Sequence, residues 1–228
     1  MAIRTEEGHE TKLISLMGIP DCDIAYYFAR TLNAAGAKVL VIDNTRGAEL
    51  FTAIRKPDNE EMAQTGELYY LKHKAYSEEF FALYDYVIIC HGEHVNGELN
   101  VESDYRFVVT DYRPQTTEKI RDELAAQEEN LKYFVIYRNK VFAKISEKII
   151  TEELGLHEKD ILESYQLSYS DQDYACYMGL LRNGSTNVKS TSTEMKDLLN
   201  AFIQNVLSET EEKERKAVYK KLLSGKIN

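Results

Sequence analysis

Tryptophan is absent from the 228 residues, and proline occurs only as Pro20, Pro57 and Pro114, which excludes a proline-rich linker or stalk. Cysteine is limited to Cys22, Cys90 and Cys176. An odd count without a CxxC pair argues against a disulfide framework and for a reducing compartment. No apolar run approaches the roughly 20 residues needed to span a bilayer. The segment Met1 to Glu7 lacks the apolar core of a signal peptide. Positive charge is also in deficit, with 28 basic against 38 acidic residues and a net charge of −10. That balance disfavours nucleic acid as a general partner. The expectation is a cytoplasmic globular protein.

What is present reads as alternating strands and helices. Leu13–Met17, Val39–Ile42, Tyr86–Cys90, Phe107–Val109 and Tyr133–Tyr137 are short apolar runs rich in β-branched and aromatic residues. Unbroken runs of this kind mark strands covered on both faces, as in parallel sheets. Ile24, Tyr27, Phe28, Thr31, Leu32 and Ala35 repeat with helical period, and Gly36 follows as a stop. Pro114 opens a second helical stretch reaching Gln127. A third stripe, Met195, Leu198, Leu199, Phe202, Ile203, Val206 and Leu207, follows Thr191 and Glu194, spaced as a capping box. The pattern predicts a three-layer α/β/α sandwich with a mainly parallel sheet over residues 1–207, and a charged amphipathic extension over 208–228. Function in such sheets gathers at the carboxyl ends of the strands, here just after Met17, Ile42, Cys90, Val109 and Tyr137.

After the first strand the chain reads Gly18, Ile19, Pro20, Asp21, Cys22, Asp23, Ile24, Ala25, and a helix begins. A phosphate-binding loop here would read GxxxxGK[ST], with amides and a lysine holding phosphate and a hydroxyl holding Mg²⁺. Only Gly18 matches. Asp23 stands at the second glycine, Ile24 at the lysine and Ala25 at the hydroxyl. Two carboxylates, Asp21 and Asp23, instead sit at a helix N-terminus, where the dipole favours negative charge and either could cap free amides.

With these residues, Leu13 to Asn44 ("LISLMGIPDCDIAYYFARTLNAAGAKVLVIDN") resembles the opening unit of the MinD/ParA family of deviant Walker ATPases. "YDYVIICHG", "YRFVVTDYRPQTTEKI", "YFVIYR" and "YQLSYSDQDYACYMGLL" follow in the order of that family's later segments. The resemblance, over about residues 12–207, implies a P-loop NTPase fold. It also locates departures on the chemistry. The family's signature lysine falls at Ile19, its Walker lysine at Ile24, its Mg²⁺-binding hydroxyl at Ala25, its strand-ending acid at Cys90, and its base-contacting asparagine at Tyr137. Asp43 ends the second strand, where members often carry an acid. Five concurrent losses imply a pseudo-ATPase with no ATP, other cofactor or metal, acting as a scaffold or localisation protein. The analogy extends to TadZ/CpaE-like members that position pilus or secretion machinery. The implied partners are a second copy or an active paralogue. The alternatives are a nucleotide-binding switch or ATPase with an unconventional site, and a DNA- or plasmid-partition component.

Other constellations are weaker. Cys22, Cys90, His91 and His94 could meet at one sheet edge, but adjacent Cys90 and His91 are poor joint zinc ligands, and nothing orients a Cys–His nucleophile. A buried Cys90 and a surface loop from His91 fit better. Asp111 and Arg113 read as a pinned loop. The polar loops His91–Asn100 and Gly184–Ser192 are candidate contact surfaces. Residues 213–228 contribute +5 while the remainder carries −15. Val218, Tyr219, Leu222 and Leu223 share one helix side there, opposite Lys213, Lys216 and Lys220. Weak contact with an anionic membrane is one reading; packing on the domain or a partner is favoured.

Overall fold

A computed structural model describes residues 10–19, 22–54, 62–73, 77–93, 102–127, 130–141 and 145–225, with the Glu78 side chain excepted. Eight strands form one sheet in the order β3-β4-β2-β5-β1-β6-β7-β8. They are β1 (Lys12–Gly18), β2 (Val39–Asp43), β3 (Met62–Thr65), β4 (Leu68–Lys72), β5 (Tyr86–Gly92), β6 (Tyr105–Thr110), β7 (Tyr133–Lys140) and β8 (Ile161–Ser168). All neighbours run parallel except β3, which pairs antiparallel with β4 at one edge. The five apolar runs of the sequence are the five central strands, and burial on both faces is why they read as unbroken.

The helices are α1 (Cys22–Ala34), α2 (Glu49–Ile54), α3 (Glu78–Phe81), α4 (Pro114–Ala125), α5 (Glu147–Glu153), α6 (Asp171–Asn183), α7 (Thr193–Val206) and α8 (Glu212–Ser224). One face of the sheet, with Ile14, Leu16, Val41, Ile88 and Val109, packs on α1 and α7. There the Phe28 ring of α1 stacks on Phe202 of α7 at 3.8 Å and meets Phe107 of β6 edge-on at 4.9 Å. The other face packs Leu40, Val87 and Ile89 on Phe81 of α3, and Met17, Val108 and Val135 on Ile120 of α4 and Ile150 of α5. Helices on both faces make the three-layer α/β/α sandwich.

Three local expectations change. The cap of α7 is Ser192, whose Oγ accepts the Met195 amide; Thr191 instead turns inward and donates to the Val188 carbonyl. Glu194 is not in a capping box, because it reaches to Ser168 at the end of β8, bonding its hydroxyl at 3.0 Å and its amide at 2.5 Å. The 184–192 segment is not a free surface loop: Val188 and Thr191 are buried. The chain crosses α2 closely enough at Gly184 that a Cβ there would lie 2.7 Å from the Ala53 carbonyl.

The tail helix α8 lies on the domain. Val218 and Leu222 are buried, with Tyr219 and Leu223 against the same core. Lys221 Nζ donates to the Ala34 carbonyl at the end of α1, at 3.0 Å. Arg215 crosses the apolar side and bonds Gln204 and the carbonyls of Leu207, Ser208 and Thr210, where α7 ends. A cation suits the negative end of a helix. No described helix is long and apolar enough to cross a membrane.

Candidate functional site

The first turn after β1 is fixed by glycine. Gly18 has φ +112°, and a Cβ there would fall 1.8 Å from the Val109 carbonyl. The chain runs so close to β6 that the Ile19 amide donates to that carbonyl at 3.0 Å. Pro20 and Asp21 lie outside the described residues. Cys22 then opens α1, with Asp23, Ile24 and Ala25 each fully buried in its first turn.

Asp23 and Arg138 form the centre of the site. Arg138 sits near the end of β7, and its guanidinium meets Asp23 at the start of α1 as a two-point fork. Nη1 lies 2.6 Å from Oδ1 and Nη2 2.9 Å from Oδ2. Asp23 is 0% exposed and Arg138 7%. Asp23 Oδ1 also accepts the Ile24 amide at 3.0 Å, satisfying one early donor of α1. Burial alone would lower the Arg138 pKa, but the Asp23 carboxylate more than offsets it and holds the guanidinium charged. A planar fork on a carboxylate is the strongest geometry such a pair can take.

The remaining positions are structural. Asp43 is 1% exposed and pins the turn after β2: Oδ1 accepts the Thr45 amide and hydroxyl, and Oδ2 accepts the Phe51 amide of α2. Asp111 does the same after β6, taking the Arg113 amide on Oδ1 and its Nε on Oδ2 at 2.6 Å. Tyr137 points to the other face of the sheet from Arg138, and its hydroxyl meets Thr151 of α5 at 2.5 Å. Cys90 is buried on the α1 face. His91 is the extra residue where β5 shifts register against β1, and the charge that acts on it is Glu123 of α4, on the other side of the sheet from α1. Among the described residues no three His, Cys, Asp or Glu side chains are placed to hold a metal ion. His94 lies outside the described residues, as do Gly97 and Asn100.

His91 and Asn44 carry unsatisfied polarity. Asp43 is in register with Cys90, and the Asn44 amide donates to the Cys90 carbonyl at 2.9 Å, which sets Asn44 beside His91. His91 Nδ1 and both side-chain heteroatoms of Asn44 are buried without a hydrogen-bond partner among the described residues. Burial pushes the His91 pKa down to about 4, against a smaller upward pull from Glu123. Above pH 6.5 the imidazole is neutral folded or unfolded. Between 6.5 and about 4 only the unfolded chain takes the proton, so stability falls as pH falls across that window. The loss is expected to reach about 3 kcal/mol by pH 4, with about 2 kcal/mol of it gone by pH 5. Urea melts of the protein and a His91→Leu variant at pH 7 and pH 5 check this. The variant should lose less stability by that difference.

A cleft of about 540 Å³ opens beside this centre, at the carboxyl ends of β6, β7 and β8. Arg138 and Asp173 reach its wall, and Tyr112, Tyr169, Tyr174 and Tyr177 line it. Asp173 is satisfied internally, accepting the Ser192 amide and hydroxyl. Sequence reasoning missed Arg138, because a lone arginine after an apolar strand carries no motif. The one available signal was the "YFVIYR" run itself, which ends in a charge just where the strand should enter the crevice.

No protein-family model matches the sequence, and no curated protein matches it. Solved structures do match in fold. One is a candidate plasmid partition protein from Borrelia burgdorferi B31 bound to AMPPNP, 15% identical, with a TM-score of 0.57 over 88% of this chain and 100% of that one. A ParA family ATPase from Chlorobium tepidum TLS is 12% identical, with a TM-score of 0.51 over 93% of this chain and 98% of that one. The MinC:MinD cell division protein complex of Aquifex aeolicus is 12% identical, with a TM-score of 0.52 over 93% of this chain and 94% of that one. At these identities the shared property is the fold.

Proposed function

We propose that this chain is a pseudo-ATPase on the ParA/MinD-type fold, a non-catalytic scaffold or localisation protein that works through protein contacts. The observation that carries the reading is the buried fork between Asp23 and Arg138. In the family it resembles, the start of the first helix grips phosphate with lysine and free amides. Here Ile19, Ile24 and Ala25 offer no cation or hydroxyl. The only carboxylate described in that turn, Asp23, already takes both Nη atoms of Arg138 and the Ile24 amide. A triphosphate would bring like charge against a fully buried carboxylate and find its cation saturated. The internal ion pair stands in for the ligand.

The partner is a second copy or an active paralogue, and the narrower role at pilus or secretion machinery follows the TadZ/CpaE-like resemblance. The MinD structure in complex with MinC is a precedent on this fold for a protein partner. Without nucleotide, any such assembly rests on direct side-chain contacts. Sedimentation velocity should therefore give the same distribution of species with and without Mg-ATP. Association that appears only with Mg-ATP would sink the scaffold reading. A nucleotide switch with an unconventional site is the second reading. It draws on the cleft at the carboxyl ends of β6 to β8, where open α/β sheets bind ligands. It requires Mg-ATP to raise the melting temperature, since a ligand of the native state alone must do so.

A further inference from the structure

The described residues leave eight large apolar side chains exposed, and three of them share one cleft. Val141, Tyr169 and Tyr174, at 58%, 55% and 55% exposure, line the mouth of the cleft at the ends of β7 and β8. Ile145 and Ile149 are also exposed, just before and on α5, whose Glu147 bonds Tyr112 of the lining. Single exposed apolar residues need no explanation, but a cluster rimmed by polar groups marks an interaction site.

The cleft also has unused polar capacity of one sign. Arg113 spends its Nε on Asp111, while both Nη atoms make no hydrogen bond among the described residues, and its side chain is 63% exposed. The hydroxyls of Tyr169 and Tyr174 are likewise unbonded among those residues. The two carboxylates of the lining itself, Asp111 and Asp173, are buried and satisfied by their own loops and caps. A visitor meets tyrosine faces, Val141 and one guanidinium fork, beside the small polar side chains of Asn139, Ser168 and Ser170. Tyrosine and arginine are the residues in which binding energy concentrates at protein interfaces. The fork is shaped for a carboxylate.

We infer that this cleft is a docking site for an extended segment of a partner protein that presents an aromatic or branched apolar side chain beside a single carboxylate. The apolar side chain enters between Tyr169 and Tyr174 against Val141, and the carboxylate takes the two free Nη atoms of Arg113. One acidic group is favoured over an acidic run, because the chain's own net charge of −10 repels additional negative charge. This rests on the scaffold reading and names the kind of partner that such a scaffold holds.

The test is selection from a displayed library of random heptapeptides on the full chain. Recovered peptides should share an aromatic or branched apolar residue next to Asp, Glu or the C-terminal carboxylate. A synthetic peptide of that consensus should bind at least about tenfold more weakly to Tyr174→Ser, a variant at an exposed position that leaves the melting temperature unchanged. Selection on Arg113→Glu should replace the acidic position by Lys or Arg. No consensus on the unmodified protein, or one indifferent to both changes, overturns the inference. If the peptides are displaced by Mg-ATP, the cleft is a nucleotide site and both this inference and the scaffold reading fall. If no consensus emerges and Mg-ATP does not bind, only the docking site falls.

Discussion

Replacing Arg138 by methionine is expected to lower the free energy of unfolding by about 3–5 kcal/mol. The loss comes less from the missing attraction than from what remains. Asp23 is 0% exposed, so its carboxylate would keep only the Ile24 amide as a partner and could not recover water. Asp23→Asn should cost a similar amount, because it leaves a guanidinium that is 7% exposed facing a neutral amide. The double variant should recover part of either loss, since it leaves no buried charge facing a neutral partner. Urea denaturation of the four proteins gives the coupling directly. A single-variant loss below about 1 kcal/mol would mean that the pair behaves like an exposed one, and the internal-ligand account would lose its basis.

The second large effect is expected at Gly18. A methyl there would sit 1.8 Å from the Val109 carbonyl, in a backbone conformation of φ +112° that side chains rarely adopt. Gly18→Ala must move the turn away from β6, breaking the bond from the Ile19 amide. Conformational strain of about 1–2 kcal/mol and a lost hydrogen bond of about 1 kcal/mol place the cost near 3 kcal/mol. The same urea melts measure it, and a neutral substitution would contradict the close approach of β1 to β6. This glycine thus has a structural reason to persist whether or not a phosphate ever lies beside it.

Most of the sheet could be read from the chain because its central strands are buried on both faces. That burial leaves runs such as Val39–Ile42 and Tyr133–Ile136 without polar interruption. The edges were hidden for the converse reason. Strand β8 carries Glu163, Ser164, Gln166 and Ser168 on its exposed positions, and β3 exposes three of its four residues. Neither makes an apolar run. The β3–β4 hairpin did leave a signal, the two-residue Gly66-Glu67 turn between flanking strands. The cap of α7 falls one position past the sequence expectation, at Ser192, since Thr191 and Ser192 are both good cap residues and only packing chooses between them.

The candidate site was legible in its absences and not in its replacement. The sequence puts Ile24 and Ala25 where cation and hydroxyl belong in the family it resembles, and it puts a carboxylate at Asp23. It does not say that a residue 115 positions later closes on that carboxylate. Contacts between a helix start and a distant strand end depend on strand order, which no local pattern encodes. Here β7 is brought to the site only because β6 lies between it and β1.

Calorimetric titration of Mg-ATP into the full chain tests the central claim most directly. The pseudo-ATPase account predicts no saturable heat and no rise in melting temperature. Saturable micromolar binding of Mg-ATP would contradict it.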